Sequence, residues 1–166
     1  MELQSRDAPL PPFFAAVRRR HPDVDIVLLA PEPAEDDHPE AVTEGQLANA
    51  FDLTTGTATK AWAEAVGDGQ VPETRYACGP DETTVTARAR VAARLERSVL
   101  GPLAAALKQD GWDVARRPGD VSRLAARRAT MQLLASYAAA SGAFVLTVTS
   151  APLPVGVERA RELARR

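Results

Sequence analysis

"TVTARARVA", residues 84–92, decides the fold, because it can be read with two different periods. Val85, Ala87, Ala89 and Val91 alternate with Thr84, Thr86, Arg88 and Arg90. A period of two puts the apolar side chains on one face of a strand and the polar ones on the other. Helical spacing can also be drawn through Val85, Ala89 and Ala92. The β-branched residues at the start favour the strand, and "CGPDE", 78–82, supplies a turn from a preceding strand over 73–78. Read this way, the middle of the chain holds a β-hairpin.

Downstream, a helix follows from about 95 to 109 with Leu95, Val99, Leu103 and Leu107 inward. "DGWDVARRPGD", 110–120, then splits into parts. Asp110-Gly111 ends the helix, Trp112 and Val114 begin a strand, and Pro118-Gly119 suits the centre of a type II turn, where glycine supplies φ > 0. Leu124 and Ala126 alternate with arginines in the next strand, and Met131, Leu133, Ala135 and Tyr137 share a face in a third. "AASG", 139–142, turns the chain, and Phe144, Leu146 and Val148 point inward from a fourth. "APLP", 151–154, breaks the sheet, and a closing amphipathic helix carries Val157, Ala160 and Leu163/Ala164. The expected fold class is α+β: an antiparallel sheet, made of a C-terminal four-strand meander plus the hairpin, covered by helices on one face.

Upstream, Leu10-Pro11-Pro12 opens a short helix that ends at His21-Pro22, and "VDIVLLA", 24–30, reads as an interior strand. "PEPAEDDHPE", 31–40, has the composition of a solvated acidic, Pro-rich linker, reaching to about 42. Leu47, Phe51, Ala58, Trp62, Ala65 and Val66 then predict a helix over about 43–67, with Gly56 a point where it could break. The 166 residues have the length of one domain, 1–166, large enough to bury a core without staples.

The single cysteine, Cys78, cannot bridge internally, and no Cys/His cluster has zinc spacing. The N-terminal residues lack the basic and apolar regions of a signal peptide, and no apolar run is long enough to cross a membrane, so a cytoplasmic location is expected. Catalytic motifs are missing as well: no Gly-x-Ser-x-Gly, Ser-x-x-Lys or zincin pattern occurs. Gly67-x-Gly69 lacks the third glycine and the Lys-Ser/Thr of a phosphate loop. Glu35, Asp36, Asp37, His38 and Glu40 are possible hard-cation ligands, but without EF-hand spacing. Asp23 and Asp25 flank the early strand, where exposed carboxylates are commoner than an acid/base pair. Neither catalytic residues, nor a cofactor, nor a metal site is therefore assigned.

Charge is the informative quantity. Residues 1–83 carry 6 Lys/Arg against 16 Asp/Glu (−10), and residues 84–166 carry 14 against 6 (+8), so a net charge of −2 conceals a dipolar chain. Arg88 and Arg90 project from one strand, Arg123, Arg127 and Arg128 come from another, and Arg94, Arg97, Arg116 and Arg117 lie near strand or helix ends. If these strands share a sheet, Arg88, Arg90, Arg116, Arg117, Arg123 and Arg127 form a basic surface. Such a surface would suit the chain's own acidic N-terminal half or an acidic protein partner, or simply keep an open sheet soluble. Nucleic acid is the first alternative, through phosphate neutralisation, but no aromatics interleave with the arginines and no recognition motif occurs.

The run "LGPLAAALKQDGWDVARRPGD" followed by "FVLTVTSAPLPVG", within residues 99–156, resembles uncharacterised small α+β proteins of actinobacteria, some of them exported lipoproteins. The resemblance implies a helix, a Gly-Trp corner and antiparallel strands rich in Thr and Val, and it implies no activity. The exported members' signal peptide and lipidation cysteine have no counterpart here. The functional expectation is a non-enzymatic protein-binding or chaperone-like module, which could self-associate through a sheet edge. A small-molecule site or enzyme would instead use a helix–sheet pocket beside Trp62, Trp112 and Tyr137.

Overall fold

The computed structural model describes residues 42–67 and 69–165, with Val17 and Arg20 as isolated helical positions before them. Those two positions fall within the helix expected after Leu10-Pro11-Pro12. The strand over 24–30 and all of the acidic linker but Val42 lie outside the described residues. The chain divides into a unit at Met1–His38 and a larger one at Pro39–Arg166, and every element below belongs to the second.

In chain order these elements are α1 (Glu44–Val66), β1 (Glu73–Cys78), β2 (Thr84–Arg94), α2 (Leu100–Gln109), β3 (Asp113–Arg117), β4 (Val121–Arg128), β5 (Met131–Ala138), β6 (Ala143–Thr149), β7 (Leu153–Pro154) and α3 (Val157–Ala164). All strand pairs are antiparallel, in the order β1-β2-β6-β5-β4-β3, with β7 beside the start of β2. The fold is thus α+β, and 84–94 is a strand. Val85, Ala87, Ala89 and Val91 are buried, while Arg88 and Arg90 are exposed. Helix α2 carries the chain from β2 to the far edge, and the meander β3 to β6 returns until β6 pairs with β2.

Period-two burial continues through β4, β5 and β6, so one face of the sheet is the core. The described helices cover that face: α1 lies on β2, β6 and β1, α2 on β3, β4 and β5, and α3 on β1 and β2. Trp62 of α1 packs against Phe144 of β6 with ring centroids 5.6 Å apart. Leu100, Leu103 and Leu107 of α2 join the same core, whereas Leu47, Val85, Ala160 and Leu163 form a second cluster beneath α3. Helix α1 starts at a reciprocal cap: Thr43 Oγ1 accepts from the Gln46 N–H at 3.2 Å, and Gln46 Oε1 accepts from the Thr43 N–H at 2.8 Å. It runs unbroken through Gly56. Its buried stripe also takes in Thr54, whose hydroxyl donates to the Ala50 carbonyl at 2.7 Å and so needs no other partner.

Four local expectations are corrected. Helix α2 starts at Leu100 and not at 95, because the Leu95 N–H donates to the Gly142 carbonyl at 2.8 Å and ties that stretch to the β5–β6 turn. The same turn requires glycine: Gly142 has φ of 66°, and a Cβ there would sit 2.7 Å from the Leu95 oxygen. At 118–119 no type II turn forms, since Gly119 is not in the left-handed region and the last ladder pair, Arg117 with Arg123, leaves a longer connection. "APLP" does not wholly leave the sheet, because Leu153 and Pro154 pair with Val85 and Thr84. In α3, Ala160 and Leu163 are buried, but Val157 and Ala164 are exposed.

The β1–β2 turn carries a pH-sensitive contact. Hydrogen bonds from Thr83 and then Thr84 hold the exposed Asp81 carboxyl below the usual carboxylate range, with Thr84 Oγ1 at 3.0 Å and the Thr83 N–H at 3.2 Å. A depressed folded-state value means the stabilisation is present above the unfolded value and disappears as pH falls through the folded one. The stability advantage of the native chain over Asp81→Asn should therefore shrink on acidification below about pH 4, read from urea melts at several pH values. The alternation itself is tested in β5, where Leu133 is fully buried and its neighbour Leu134 is 56% exposed. Leu133→Ala should lose about 2–5 kcal/mol, and Leu134→Ala no more than about 0.5 kcal/mol, in the same denaturation experiment.

Candidate functional site

The face opposite the described helices has its own pattern, set by the ladder register. Residues directly opposite one another in adjacent strands share a face. One row across the sheet is Glu73, Arg90, Thr147, Leu134, Ala125 and Ala115. The row on one side of it holds Arg75, Arg88, Thr149, Gln132, Arg127 and Asp113. The row on the other side holds Ala92, Val145, Ser136, Arg123 and Arg117, with Arg94 beyond. Thr147, Leu134, Ala125 and Ala115 of the middle row, with Val145, floor a concavity of about 600 Å³, rimmed by Arg117 and Arg123.

Seven arginines (75, 88, 90, 94, 117, 123 and 127) stand on this face against two acids, Glu73 and Asp113, a local net charge of +5. All seven are exposed, and among the described residues none of them forms an ion pair. The ladder sets Arg75 opposite Arg88 and Arg117 opposite Arg123. Like charges placed in this way repel. At about 3.4 Å per residue, Arg123 and Arg127 lie roughly 7 Å to either side of Ala125 along β4. The apolar strip is therefore bordered by cations on both flanks. It carries no Phe, Tyr or Trp.

Of the six arginines singled out from sequence, Arg88, Arg90, Arg117, Arg123 and Arg127 share this face, although Arg88 and Arg90 are separated from the other three by β6 and β5. Arg116 does not belong with them. It pairs with the buried Leu124, so its side chain leaves the strand on the helix-covered side. Sequence reasoning missed Arg75, placed Arg94 only near an element end, and missed the floor. The usable signal for the floor was the adjacent pair Leu133-Leu134 in an otherwise alternating strand, which puts one leucine on each face.

Arg128, one residue beyond Arg127, is used for structure. Its guanidinium carbon lies 5.0 Å from the Trp112 ring centroid, and Nη1 donates to the Asp110 carbonyl at 3.2 Å. Beside it, a small cleft of about 50 Å³ contains Lys60, whose Nζ contacts Asp110 at 2.5 Å and Glu64 at 3.7 Å. The hydrogen bond to Asp110 pushes the Lys60 ammonium above its ordinary range. That opposes the neutral amine which a lysine base or nucleophile requires. Trp62 and Tyr137 are packed into the core, and Tyr137 donates to the Leu95 carbonyl at 3.3 Å, so the larger concavity is on the other side of the sheet from the pocket expected beside them. Cys78 is exposed at the end of β1, and its Sγ lies 3.4 Å from the Ala160 carbonyl. Among the described residues no cluster of three His, Cys, Asp or Glu side chains could hold a metal, and no helix is long and apolar enough to cross a membrane. Comparison of the chain with protein-family models, with curated proteins and with solved structures gives no match.

The two neighbouring arginines of β4 should behave differently on truncation. Arg128→Ala removes the cation–π contact and a hydrogen bond and should cost about 1 kcal/mol. Arg127→Ala should stay within about 0.5 kcal/mol of the parent. Paired urea titrations measure both.

Proposed function

We propose that the chain is a non-enzymatic protein-binding module that presents its uncovered sheet face to an acidic, partly apolar segment of a partner. The observation that supports this reading is one surface combining the exposed Leu134, the alanines and Val145 of the floor with arginines on both flanks. An exposed apolar strip with a charged rim has the anatomy of an interface, and arginine is enriched where proteins meet. Arg117 and Arg123, opposite each other, can meet one carboxylate, but Arg127 lies about 14 Å from Arg123 along β4 at about 3.4 Å per residue, so one small anion does not reach both flanks. A longer acidic segment meets both flanks while its apolar side chains cover the floor.

Unpaired arginines also favour a second reading, nucleic acid bound through its phosphates. The lack of aromatics on the face removes the stacking on which single-strand binding relies, and phosphates would leave the apolar floor against water. A photo-crosslinking residue at position 134, compared with one at the exposed Leu53 of α1, separates these cases in the native cell. Protein adducts at 134 and not at 53, reduced at least severalfold by Arg123→Glu with Arg127→Glu and by raised salt, are the expected result. Nuclease-sensitive adducts would move the assignment to nucleic acid. Equal labelling at both positions would remove the site altogether.

A further inference from the structure

We propose that two copies of this chain join through β3, antiparallel and two-fold symmetric about Ala115. Strand β3 ends the sheet, and among the described residues nothing pairs with its outer edge. Four of its five residues are exposed. A free edge of this kind is a template for another strand, and proteins usually guard it with charge. Here the guards are self-complementary. In Asp113-Val114-Ala115-Arg116-Arg117, a two-fold axis at Ala115 sets Asp113 of one copy opposite Arg117 of the other, twice.

Two independent features point to the same register. Within one copy, Arg117 already lies opposite Arg123, a like-charge pair with no carboxylate nearby to balance it. The second copy's aspartate would stand on the other side of Arg117 and offset that repulsion. The other edge, β1, sets Glu73 opposite Arg75 only about an axis at Thr74, which pairs just three of its six residues, and an axis at Arg75 would oppose two guanidinium groups. Pro118, which has no N–H to donate, follows directly after β3 and limits the ladder to five residues.

The helices leave room for this arrangement. An axis perpendicular to the sheet keeps the covered faces of both copies on one side. Helix α2 spreads over β3, β4 and β5 and so sits near β4. With strands about 4.8 Å apart, the two α2 axes would be about 14 Å from each other, wider than the ~8–10 Å of packed helices. On the uncovered side, Ala115 meets Ala115, and the strip running through Leu134 and Ala125 continues into the second copy. The inference does not depend on what the groove binds.

Sedimentation equilibrium of the purified chain tests it, with thermal melts to confirm folding. The expected result is a monomer–dimer equilibrium that Asp113→Arg or Arg117→Asp alone weakens about tenfold, and that the double charge swap restores to within about threefold. A chain that stays monomeric up to about 1 mM overturns the proposal. So does a dimer indifferent to the single substitutions, or one that the double swap fails to rescue. In a Cys78→Ser background, Ala115→Cys should also form an intermolecular disulfide on oxidation, whereas Arg116→Cys, whose mate across the axis is Val114, should not. Equal cross-linking at both positions would contradict the register.

Discussion

The pairing of β2 with β6 is the constraint on which the rest of this structure depends. Arg88 to Arg94 run antiparallel to Thr149 to Ala143, joining residues 49 to 61 positions apart in the chain. That ladder welds the β1–β2 hairpin to the four-strand meander and makes one sheet from two local motifs. Closing so long a loop is entropically costly, and the return comes from what the pairing aligns. Val91 and Ala89 come beside Leu146 and Val148, forming the floor on which Trp62 and the alanines of α1 pack. The small side chains of β2 let a 23-residue helix lie close to the sheet. Without that ladder α1 would have only a hairpin to cover, and an isolated hairpin is marginal in water.

The same ladder creates the charged face. An antiparallel sheet with helices on one side leaves its other side to solvent, and the pleat sends every second residue there. Once β2 lies beside β6, Arg88 and Arg90 join a surface shared with Arg123 and Arg127 three strands away. Solubility alone would be served by mixed charge, as in the exposed ion pairs that link Arg159 with Glu44 and Arg161 with Glu82 on the covered side of the molecule. The sheet face is different. Two cross-strand pairs there are arginine against arginine, which weakens the sheet slightly at each. A surface that carries such repulsion together with an exposed leucine is poorly explained by folding requirements, and an anionic partner would relieve both features.

Most of the fold was legible because its burial follows the simplest of periods. Val85 to Val91, Met131 to Tyr137 and Phe144 to Val148 show in sequence the alternation they show in space. What stayed hidden depends on distant backbone. Leu95 looks helical until the Gly142 carbonyl, 47 residues away, takes its N–H. Arg116 and Arg117 look like one motif, but strand geometry puts neighbours on opposite faces, and which one faced outward depended on the ladder with β4. The candidate site was half legible for the same reason. Charge is visible in composition, so the arginines stood out. A floor assembled from single residues of β3, β4, β5 and β6 has one local sign, Leu134 beside Leu133, and Ala115, Ala125 and Val145 join it only when four strands are laid side by side.

The character of this face accords with the binding role proposed for it. Catalysis needs groups held close together with shifted acidity in a site that excludes water. Of the titratable groups of the described residues whose acidity does shift, Lys60 and Asp81 lie apart, Tyr76 and Arg159 act on each other beside Glu44, and each is engaged in a local contact that serves the fold. Tyr76, for example, donates to the Leu47 carbonyl at 2.8 Å and fastens the start of α1 to β1. The uncovered face has the opposite properties: it is wide, open, rich in permanent positive charge and poor in proton carriers. Guanidinium groups do not titrate at physiological pH, so they recognise anions without exchanging protons with them. A surface of that composition suits the proposed role of holding an acidic partner in place.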